Sequence, residues 1–447
     1  MLKSKRVVMT PEVSPAVLQM PVETRGSRRE LAKRQRRVQR IEGKTLVIGI
    51  DIARERQALT FGRGREIIGR KRMEVAPQHL AAVIAPVARK LCEDYGLERV
   101  VVGLEPAGCY WELAAEGFER AGLDCVLVHT LAVRREREAT RYNLEKHDPR
   151  DADLIFELVS DAKFTETRLC DTTARARLNA LAREYLLIRK LTAADRTRLT
   201  NFWTRVLPEF FELFSDLDGF TALAISRALL PFSELAALTP AAWLERVRAH
   251  ADGRRILPSR VAALQQLVRA AHQDPHRRAG EGMPVRIARA AARHHLLAAQ
   301  KEQLREPILT LYAQAPEAVW LNSIPGSDPL YNALTLGLVG DFSLYDSPRA
   351  LVKLAGSDVN WHESGDWRGK SRISHRGRSR LRAVAYQQAR ALVRNGNPVY
   401  CERFHHLLHR TTRPALTLRQ AYTALANSYL RTAHVLVTQQ KSWEAPR

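Results

Sequence analysis

The sequence predicts a mixed α/β domain followed by a long, mainly helical remainder. Three extended runs open the ordered part as a meander, at 46–53, 58–63 and 66–75. Helical and extended patterns then alternate, with helices at 77–95, 110–121 and 148–159, a further helix after 129, and strands at 99–105 and 124–129. A meander that continues into alternating strands and helices indicates a mixed sheet with helices packed against it.

The rest of the chain shows helical spacing almost throughout. A long helix is expected over 174–207, and a second over 285–314 that folds back on it as an antiparallel hairpin. Further helices are expected from 330, over 348–354 and over 380–437, with a Gly- and Ser-rich basic loop at 356–379. We therefore predict a basic N-terminal arm (1–45), an α/β domain (46–165), a helical stalk with an insertion (166–316), a mainly helical C-terminal domain (317–437) and a short tail (438–447).

The charge of the chain points to a polyanionic partner. Lys and Arg total 71 against 48 Asp and Glu, which gives a formal net charge of +23. Nucleic acid is the commonest ligand of so basic a protein. A membrane is not expected, because no apolar stretch approaches the ~20 residues of a spanning helix and the N-terminus lacks a signal-peptide core. The five cysteines never form a CxxC pair, which argues against a zinc knuckle or disulfide framework and fits a reducing cytoplasm.

The N-terminal arm is rich in arginine and shows no apolar period that could bury a face. Its basic residues are Arg25, Arg28, Arg29, Lys33, Arg34, Arg36, Arg37 and Arg40. Two interpretations stay open: a contact with nucleic acid, or a segment without function, which would be either a solvated leader or the result of a mis-assigned start codon.

Four carboxylates stand where a metal site could form. Asp51 lies near the end of the first strand, and Glu105 ends the strand VVVGLEP. If Asp148 begins the next helix, Asp151 lies one turn later on the same face. Carboxylate oxygens from two strand ends and one helix suit Mg²⁺ or Mn²⁺, which bind substrate phosphate at their open positions and assist phosphoryl transfer.

Each of these acids also has an ordinary structural interpretation. Asp148 could be a helix N-cap, which Pro149 at the next position favours. Asp151 and Asp153 could be first-turn acids stabilised by the helix dipole, and a lone Asp after a strand is a common turn residue. Order and secondary structure together favour the site, although spacing alone does not choose between Asp151 and Asp153.

The basic loop carries a serine in a strongly cationic setting. Ser364 precedes Gly365, and the basic residues that follow are Arg368, Lys370, Arg372, Arg376, Arg378, Arg380 and Arg382. A serine hydroxyl is a weak nucleophile unless a base, a metal or local positive potential activates it. The glycines of this loop let the backbone approach a phosphate. From the residues alone, the segment could equally be a phosphate-binding patch with an ordinary serine.

Taken in order, these motifs resemble the DEDD insertion-sequence transposases, a RuvC-like family related to the Piv invertase and described as bridge-RNA-guided serine recombinases. The segments that carry the resemblance are GID after the first strand, LEPAGCYW, KHDPRDAD, IPGSDP and HESGDWRGKSRISHRGRSRLR. The family's third motif, K-x-D-x-x-D-A, falls on Lys146, Asp148, Asp151 and Ala152, so the resemblance selects Asp151 over Asp153. Asp328 departs from the family's pattern, which usually has glycine there.

The resemblance covers about residues 46–435 and implies a fold and a mechanism. It implies a RuvC/RNase H-like N-terminal domain whose Asp51, Glu105, Asp148 and Asp151 bind Mg²⁺ or Mn²⁺. It implies that Ser364 is the nucleophile and forms a covalent phosphoserine intermediate with DNA, with Ser371 and Ser374 as fallback candidates. It further implies DNA partners at element ends, targets and junctions, an element-encoded guide RNA, and a homodimer or tetramer that could share one active site between subunits, in the bacterial cytoplasm.

Two other functions remain open at this point. A RuvC-like Holliday-junction resolvase would hydrolyse DNA with metal-activated water and would leave Ser364 without a chemical role. A non-catalytic nucleic-acid-binding protein would bind without cleaving. Elsewhere, His405, His406 and His409 lie at helical spacing but lack a second ligand cluster, and Trp111 is expected in the core rather than on a base.

Overall fold

The computed structural model describes residues 25–106, 108–140, 148–166, 173–274, 282–360, 363–364, 367–368, 372–411 and 414–445. The chain forms two compact units, one up to Cys170 and one from Asp171 onward. Within these residues, no helix combines the length and the apolar character needed to cross a membrane.

The first unit is built on one mixed sheet in the order β3-β2-β1-β4-β5-β6. Its strands are β1 (Thr45–Asp51), β2 (Arg56–Arg63), β3 (Glu66–Glu74), β4 (Arg99–Leu104), β5 (Asp124–Leu127) and β6 (Thr165–Glu166). The pairs β1–β2 and β2–β3 are antiparallel, whereas β1–β4 and β4–β5 are parallel. The predicted meander, mixed sheet and α/β class are therefore confirmed.

Helices cover both faces of this sheet. They are α1 (Arg25–Ile41), α2 (Leu80–Tyr95, after a 3₁₀ turn at Pro77–His79), α3 (Tyr110–Arg120), α4 (Thr130–Thr140) and α5 (Asp148–Ser160). One core packs α2 and α3 against residues such as Ile48 and Val102, and Trp111 lies at its edge, as expected. The second core packs α5 against alternate strand residues such as Val47 and Val101. The alternation of side chains along each strand thus supplies two separate cores.

The N-terminal arm does bury a face near its end, contrary to expectation. Ile41 is buried in the second core and Val38 packs beside it. Arg40 forms a two-pronged ion pair with Asp124 of β5. This attachment could not be predicted from the sequence, because two apolar residues in an arginine-rich helix do not establish a helical hydrophobic periodicity.

Glycines in the strands allow α5 to lie directly on the sheet. Gly49 and Gly103 are partners in the β1–β4 register. A Cβ on Gly49 would stand 2.5 Å from the Ala152 carbonyl oxygen, and one on Gly103 would stand 2.4 Å from a Val159 methyl. Because backbone meets backbone at Gly49, the position of α5 over the end of β1 is closely determined.

The second unit is almost entirely helical. Its helices are α6 (Thr173–Val206), α7 (Phe210–Leu213), α8 (Phe220–Ala228), α9 (Phe232–Ala237), α10 (Pro240–Ala249), α11 (Pro258–Gln273), α12 (Gly282–Gln303), α13 (Arg305–Ala313), α14 (Glu317–Asn322), α15 (Pro329–Val339), α16 (Pro348–Leu354), α17 (Ser379–Arg394), α18 (Pro398–His409) and α19 (Leu418–Gln439). Four two-residue strands lie between α16 and α17: β7 (Val359–Asn360), β8 (Glu363–Ser364), β9 (Trp367–Arg368) and β10 (Arg372–Ile373).

The expected helical hairpin is present between α6 and α12. Arg293 of α12 forms an ion pair with buried Asp195 of α6, and the His294 ring contacts the Thr192 carbonyl oxygen at 3.1 Å. The helix is interrupted at Leu304, so the expected helix over 285–314 is two helices rather than one. Likewise the helical stretch predicted at 380–437 is three helices, since Asn397 caps α18 and Thr417 caps α19.

Helix α6 contributes side chains to two hydrophobic cores. Leu178, Ala182 and Tyr185 belong to the core of the C-terminal helices. Leu199 and Trp203, about four turns or more further along the helix, belong to the core of helices α7–α12. A Cβ on Gly337 of α15 would lie 3.0 Å from the Leu178 carbonyl oxygen, so the two helix backbones touch. The first half of α6 is therefore part of the C-terminal fold.

Candidate active site

Asp51 and Glu105 lie side by side at one edge of the sheet. Ile50 and Leu104 are the last paired residues of the parallel strands β1 and β4, and each acid follows one member of that pair. Neighbouring strands are about 4.8 Å apart, so the two carboxylate-bearing residues begin from adjacent backbone positions. Both are half-buried. The carboxyl ends of parallel strands are where α/β folds build binding sites.

Helix α5 brings the third motif to this same edge. It runs antiparallel to β1: Ala152 lies over Gly49, whereas Asp161 beyond its end is paired with Arg65 at the β2–β3 turn. Its first turn, which contains Asp148 and Asp151, therefore lies toward the end of β1 that carries Asp51. Asp51 is two residues after Gly49 and hence on the face that α5 covers.

Asp151 is buried and is held by an arginine. Its side chain is 4% exposed, and its Oδ1 accepts from Arg137 Nη2 at 2.6 Å and Nε at 3.1 Å. Arg137 comes from the last turn of α4, so the ion pair joins two helices that meet at the carboxylate edge. A buried carboxylate needs such a partner because an unpaired buried charge is strongly destabilising. Sequence spacing gave no sign of this pair.

Asp153 has different hydrogen-bond partners from Asp151, although the two residues are only two positions apart. Its Oδ1 accepts from Thr60 Oγ1 at 2.7 Å and from Arg70 Nε at 2.8 Å. The hydrogen bond and charge of Asp153 raise the pKa of Arg70. Asp153 thus ties α5 to β2 and β3, and its carboxylate already has two partners. Asp151 and Asp153 therefore contact different elements, although both accept from an arginine.

A complete metal site is not preassembled among the described side chains. No three Asp, Glu, His or Cys side chains in the described part of the chain stand in an arrangement that could hold a metal ion. Of the four proposed ligands, Asp148 is described in its backbone only. The remaining donors are all carboxylates, and a hard divalent cation prefers such oxygens.

Ser364 lies in a small β structure nested inside the basic loop. It is paired with Trp367 across the β8–β9 hairpin, while β7 and β10 form an outer pair, Val359 with Ile373 and Asn360 with Arg372. The side chains of Ser364 and Arg368, and the whole of Ser371 and Lys370, lie outside the described residues. The sequence predicted a loop here, because strands of two residues are too short for alternation to show.

The base of this segment is tightly closed. A Cβ on Gly377 would meet the Gly356 nitrogen at 2.3 Å, so only glycine fits where the two chains cross. Ser374 Oγ donates to the Asp358 carboxylate and accepts from the Arg376 amide at 3.3 Å. Ser374 therefore fixes the loop, and it does not cap α17, whose N-cap is Arg378.

The seven basic residues predicted to contact nucleic acid differ in exposure and in hydrogen bonding. Arg372, Arg376 and Arg380 are exposed. Arg378 donates to the Leu338 carbonyl, and Arg382 donates to the Ala355 carbonyl at 2.7 Å. These two guanidiniums hold the base of the loop against α15 and the end of α16.

The IPGSDP turn is anchored from α17 and α18. Asn395 donates to the Gly326 carbonyl and Asn397 to the Pro325 carbonyl, at 2.9 and 2.8 Å. Asp328, which replaces the glycine usual in the resembled family, accepts from the Leu330 amide at 2.9 Å and caps α15. The departure from the motif thus has a local structural use.

Comparison with known protein families agrees with the two halves of this description. Residues 48–212 match a DEDD-type IS110 transposase model, described as a transposase. Residues 318–405 match the model described as the transposase IS116/IS110/IS902 family. A search of curated proteins finds no match. The chain is a DEDD-type insertion-sequence transposase, an enzyme that acts on DNA in transposition. It belongs to the IS110/IS116/IS902 family.

Proposed function

We propose that this transposase excises and inserts its mobile element with two chemical centres, the carboxylates Asp51, Glu105, Asp148 and Asp151 and the nucleophile Ser364. The single observation that carries the proposal is the register of β1 and β4, which ends at Ile50 and Leu104 and leaves Asp51 and Glu105 adjacent. The seating of α5 on Gly49 then directs the first turn of that helix to the same edge.

The four carboxylates would hold Mg²⁺ or Mn²⁺. The chemistry of the donor set supports this assignment, since four oxygen ligands suit a hard cation. A bound divalent cation would polarise the scissile phosphate and stabilise charge on the attacking and leaving oxygens. Arg137 contacts Oδ1 of Asp151, so Asp151 would bind the cation through Oδ2, or through Oδ1 once the guanidinium has left it. In the second case Arg137 would be free to contact a phosphate oxygen, which its fork geometry matches.

Ser364 would attack the scissile phosphorus. Its oxygen forms a bond to phosphorus while the bond to a deoxyribose oxygen breaks, and the released strand end carries a hydroxyl. That hydroxyl, or one from another strand, later attacks the phosphoserine and rejoins DNA without ATP. Closure of the loop base by Gly356, Gly377 and Ser374 supports this role, because it holds the β8–β9 hairpin in a defined frame.

The exposed basic residues of the loop would hold the DNA backbone beside the serine. Arg372, Arg376 and Arg380 are accessible for this, and the proposed set also includes Arg368, Lys370, Arg378 and Arg382. We further propose an element-encoded guide RNA and a homodimer or tetramer in which one subunit's carboxylates act with another subunit's Ser364. The net charge of +23 is compatible with RNA as well as DNA.

A covalent-adduct assay tests the proposal. Purified protein is mixed with Mg²⁺, DNA carrying the element junction and RNA transcribed from the flanking non-coding DNA, and the products are denatured and separated. We expect a protein–DNA adduct that disappears in both Ser364→Ala and Asp51→Ala. Cleavage without an adduct, unchanged in Ser364→Ala, would instead identify a resolvase that uses metal-activated water. Binding with no cleavage of any substrate would identify a non-catalytic protein.

A further inference from the structure

Three helices of the C-terminal fold bring three arginines together away from the serine loop. Arg349 lies in the first turn of α16, Arg403 in the middle of α18, and Arg431 in α19. Arg349 and Arg403 are exposed and Arg431 is half-buried. We call these three residues the arginine cluster.

Contacts on either side of α16 place Arg349 beside Arg431. Before α16, the Tyr345 carbonyl oxygen lies 2.6 Å from Nε2 of His434. After it, Ser357 Oγ donates to Asn427 Oδ1 at 2.6 Å. Helix α16 therefore lies along the turns of α19 between Asn427 and His434, and Arg431 is in the middle of that stretch.

A separate contact places Arg403 at the same spot. Arg403 Nη1 donates to Ser428 Oγ at 3.1 Å. Ser428 and Arg431 are three residues apart on α19 and so are neighbours on one face of the helix. The Arg403 guanidinium is thereby held next to that of Arg431.

Among the described residues, no ion pair joins an acid to this cluster. None of its three guanidiniums has an ion pair within the part of the chain that the structure describes, whereas Arg175, Arg196, Arg227 and Arg293 of the same unit all do. Burial, together with the charges of Arg403 and Arg349, lowers the pKa of Arg431. Like charges held together cost stability, and a polyanionic ligand would offset that cost.

We propose that the arginine cluster binds backbone phosphates of duplex DNA, as a contact separate from the serine loop. Guanidinium forks match phosphate oxygens in pairs. Arg349 lies at the start of α16, and Ala355, the acceptor of Arg382, lies just after its end. Six residues of helix span about 9 Å, so the cluster and the base of the serine loop can contact the same duplex. DNA is favoured as the partner because the chain is a DNA transposase.

Salt-dependent binding tests this inference. The full chain and the triple variant R349Q/R403Q/R431Q are titrated by fluorescence anisotropy against a 40-base-pair duplex without element ends. Each lost phosphate contact should lower the slope of log K against log salt by about 0.9 and weaken binding about fivefold near 0.15 M salt. The matched control R120Q/R196Q/R248Q removes the same charge from exposed, ion-paired arginines, and its slope should equal that of the wild type.

Two further measurements make the result decisive. The single variants R349Q and R403Q, at exposed positions, should each lower the slope by about 0.9 with an unchanged melting temperature. A slope equal to the control in all cluster variants would overturn the proposal. If the cluster substitutions weaken binding to RNA of the same length but leave binding to duplex DNA unchanged, the assignment to DNA is overturned. Neither outcome depends on Ser364 or the carboxylates, so failure here is distinguishable from failure of the proposed chemistry.

Discussion

The carboxylate edge and the serine loop are built in opposite ways. Asp51 and Glu105 end long, paired strands, and α5 is seated over them on a glycine that admits no side chain. Ser364 lies in a two-residue strand within a basic segment, whose base is joined by the Ser374–Asp358 hydrogen bond. The backbone positions of Asp51 and Glu105 are set by a six-stranded sheet, whereas that of Ser364 is set by its pairing with Trp367 in a two-stranded one. The comparison indicates that the two proposed centres rest on backbone frames of very different size.

The largest expected effect distinguishes Asp151 from Asp153 of α5. Asp51→Asn and Asp151→Asn should each lower DNA cleavage by roughly 10²–10³-fold, the usual cost of removing a group that stabilises transition-state charge. Asp153→Asn is the matched control, because Thr60 and Arg70 already occupy its carboxylate. It should keep cleavage within about tenfold of the wild type. Equal losses in Asp151→Asn and Asp153→Asn, measured by single-turnover cleavage, would contradict the assignment of Asp151.

The next effect concerns the arginine that holds the carboxylate edge. Arg137→Gln should lower the free energy of unfolding of the first unit by about 3 kcal/mol, because it leaves the buried Asp151 carboxylate unpaired. Mg²⁺ should restore more stability to this variant than to the wild type, since the cation would take the place of the guanidinium. Urea denaturation with and without Mg²⁺ measures both. An equal Mg²⁺ response in the two proteins would argue against Asp151 as a ligand.

Substitutions of glycine compare how closely the backbone is packed at the carboxylate edge and at the base of the serine loop. Gly49→Ala should cost about 3 kcal/mol and reduce cleavage as well, because the new methyl meets the Ala152 carbonyl and displaces α5. Gly377→Ala should cost about 2 kcal/mol by opening the loop base. Thermal unfolding and cleavage are both measured.

Two open glycines are the controls for these substitutions. Gly69 of β3 and Gly282 of α12 have no atom within 4 Å of an added Cβ. Gly69→Ala and Gly282→Ala should therefore stay within about 0.5 kcal/mol of the wild type. If Gly49→Ala were as mild as Gly69→Ala, the seating of α5 would not determine the carboxylate edge.

The smallest expected effect lies in the helical hairpin of the second unit. The hydrogen bond from Arg293 holds the pKa of Asp195 below its ordinary value. A lowered folded pKa stabilises the protein above the unfolded pKa, about 3.9, and this stability is lost as the pH falls below it. Asp195→Asn should cost about 2 kcal/mol at pH 7, and the difference should shrink between about pH 5 and pH 3. A difference independent of pH would show that the charge of Asp195 is not the cause.

The sequence predicted best the elements whose patterns are long. Strand β1 and helix α6 were placed to within two residues, and Asp51 and Glu105 were placed at strand ends, because an apolar run marks a strand over many residues. That their strands are parallel neighbours is a finding of the structure. The strands β7–β10 were missed because two residues carry no period.

Long-range partners could not be predicted from spacing. Arg137 and Asp151 are 14 residues apart, and Thr60 and Asp153 are 93 apart. Nothing in the sequence indicates which acid a given arginine pairs with when the chain has 71 basic residues. Gly49 and Gly103 carry a weaker signal of long-range packing, because glycines inside strands often mark the close approach of another backbone.

The most direct test of the two-centre account is to map the residue that carries DNA in the trapped adduct. The adduct is digested with protease and nuclease, and the nucleotide-bearing peptide is sequenced by mass spectrometry, with Ser371→Ala as a matched control that removes a neighbouring hydroxyl. We predict a phosphodiester on Ser364, formed only with Mg²⁺ or Mn²⁺ and with Asp51 intact, and retained in Ser371→Ala. A nucleotide on Ser371 or Ser374, or an adduct that forms without metal in Asp51→Ala, would contradict the account.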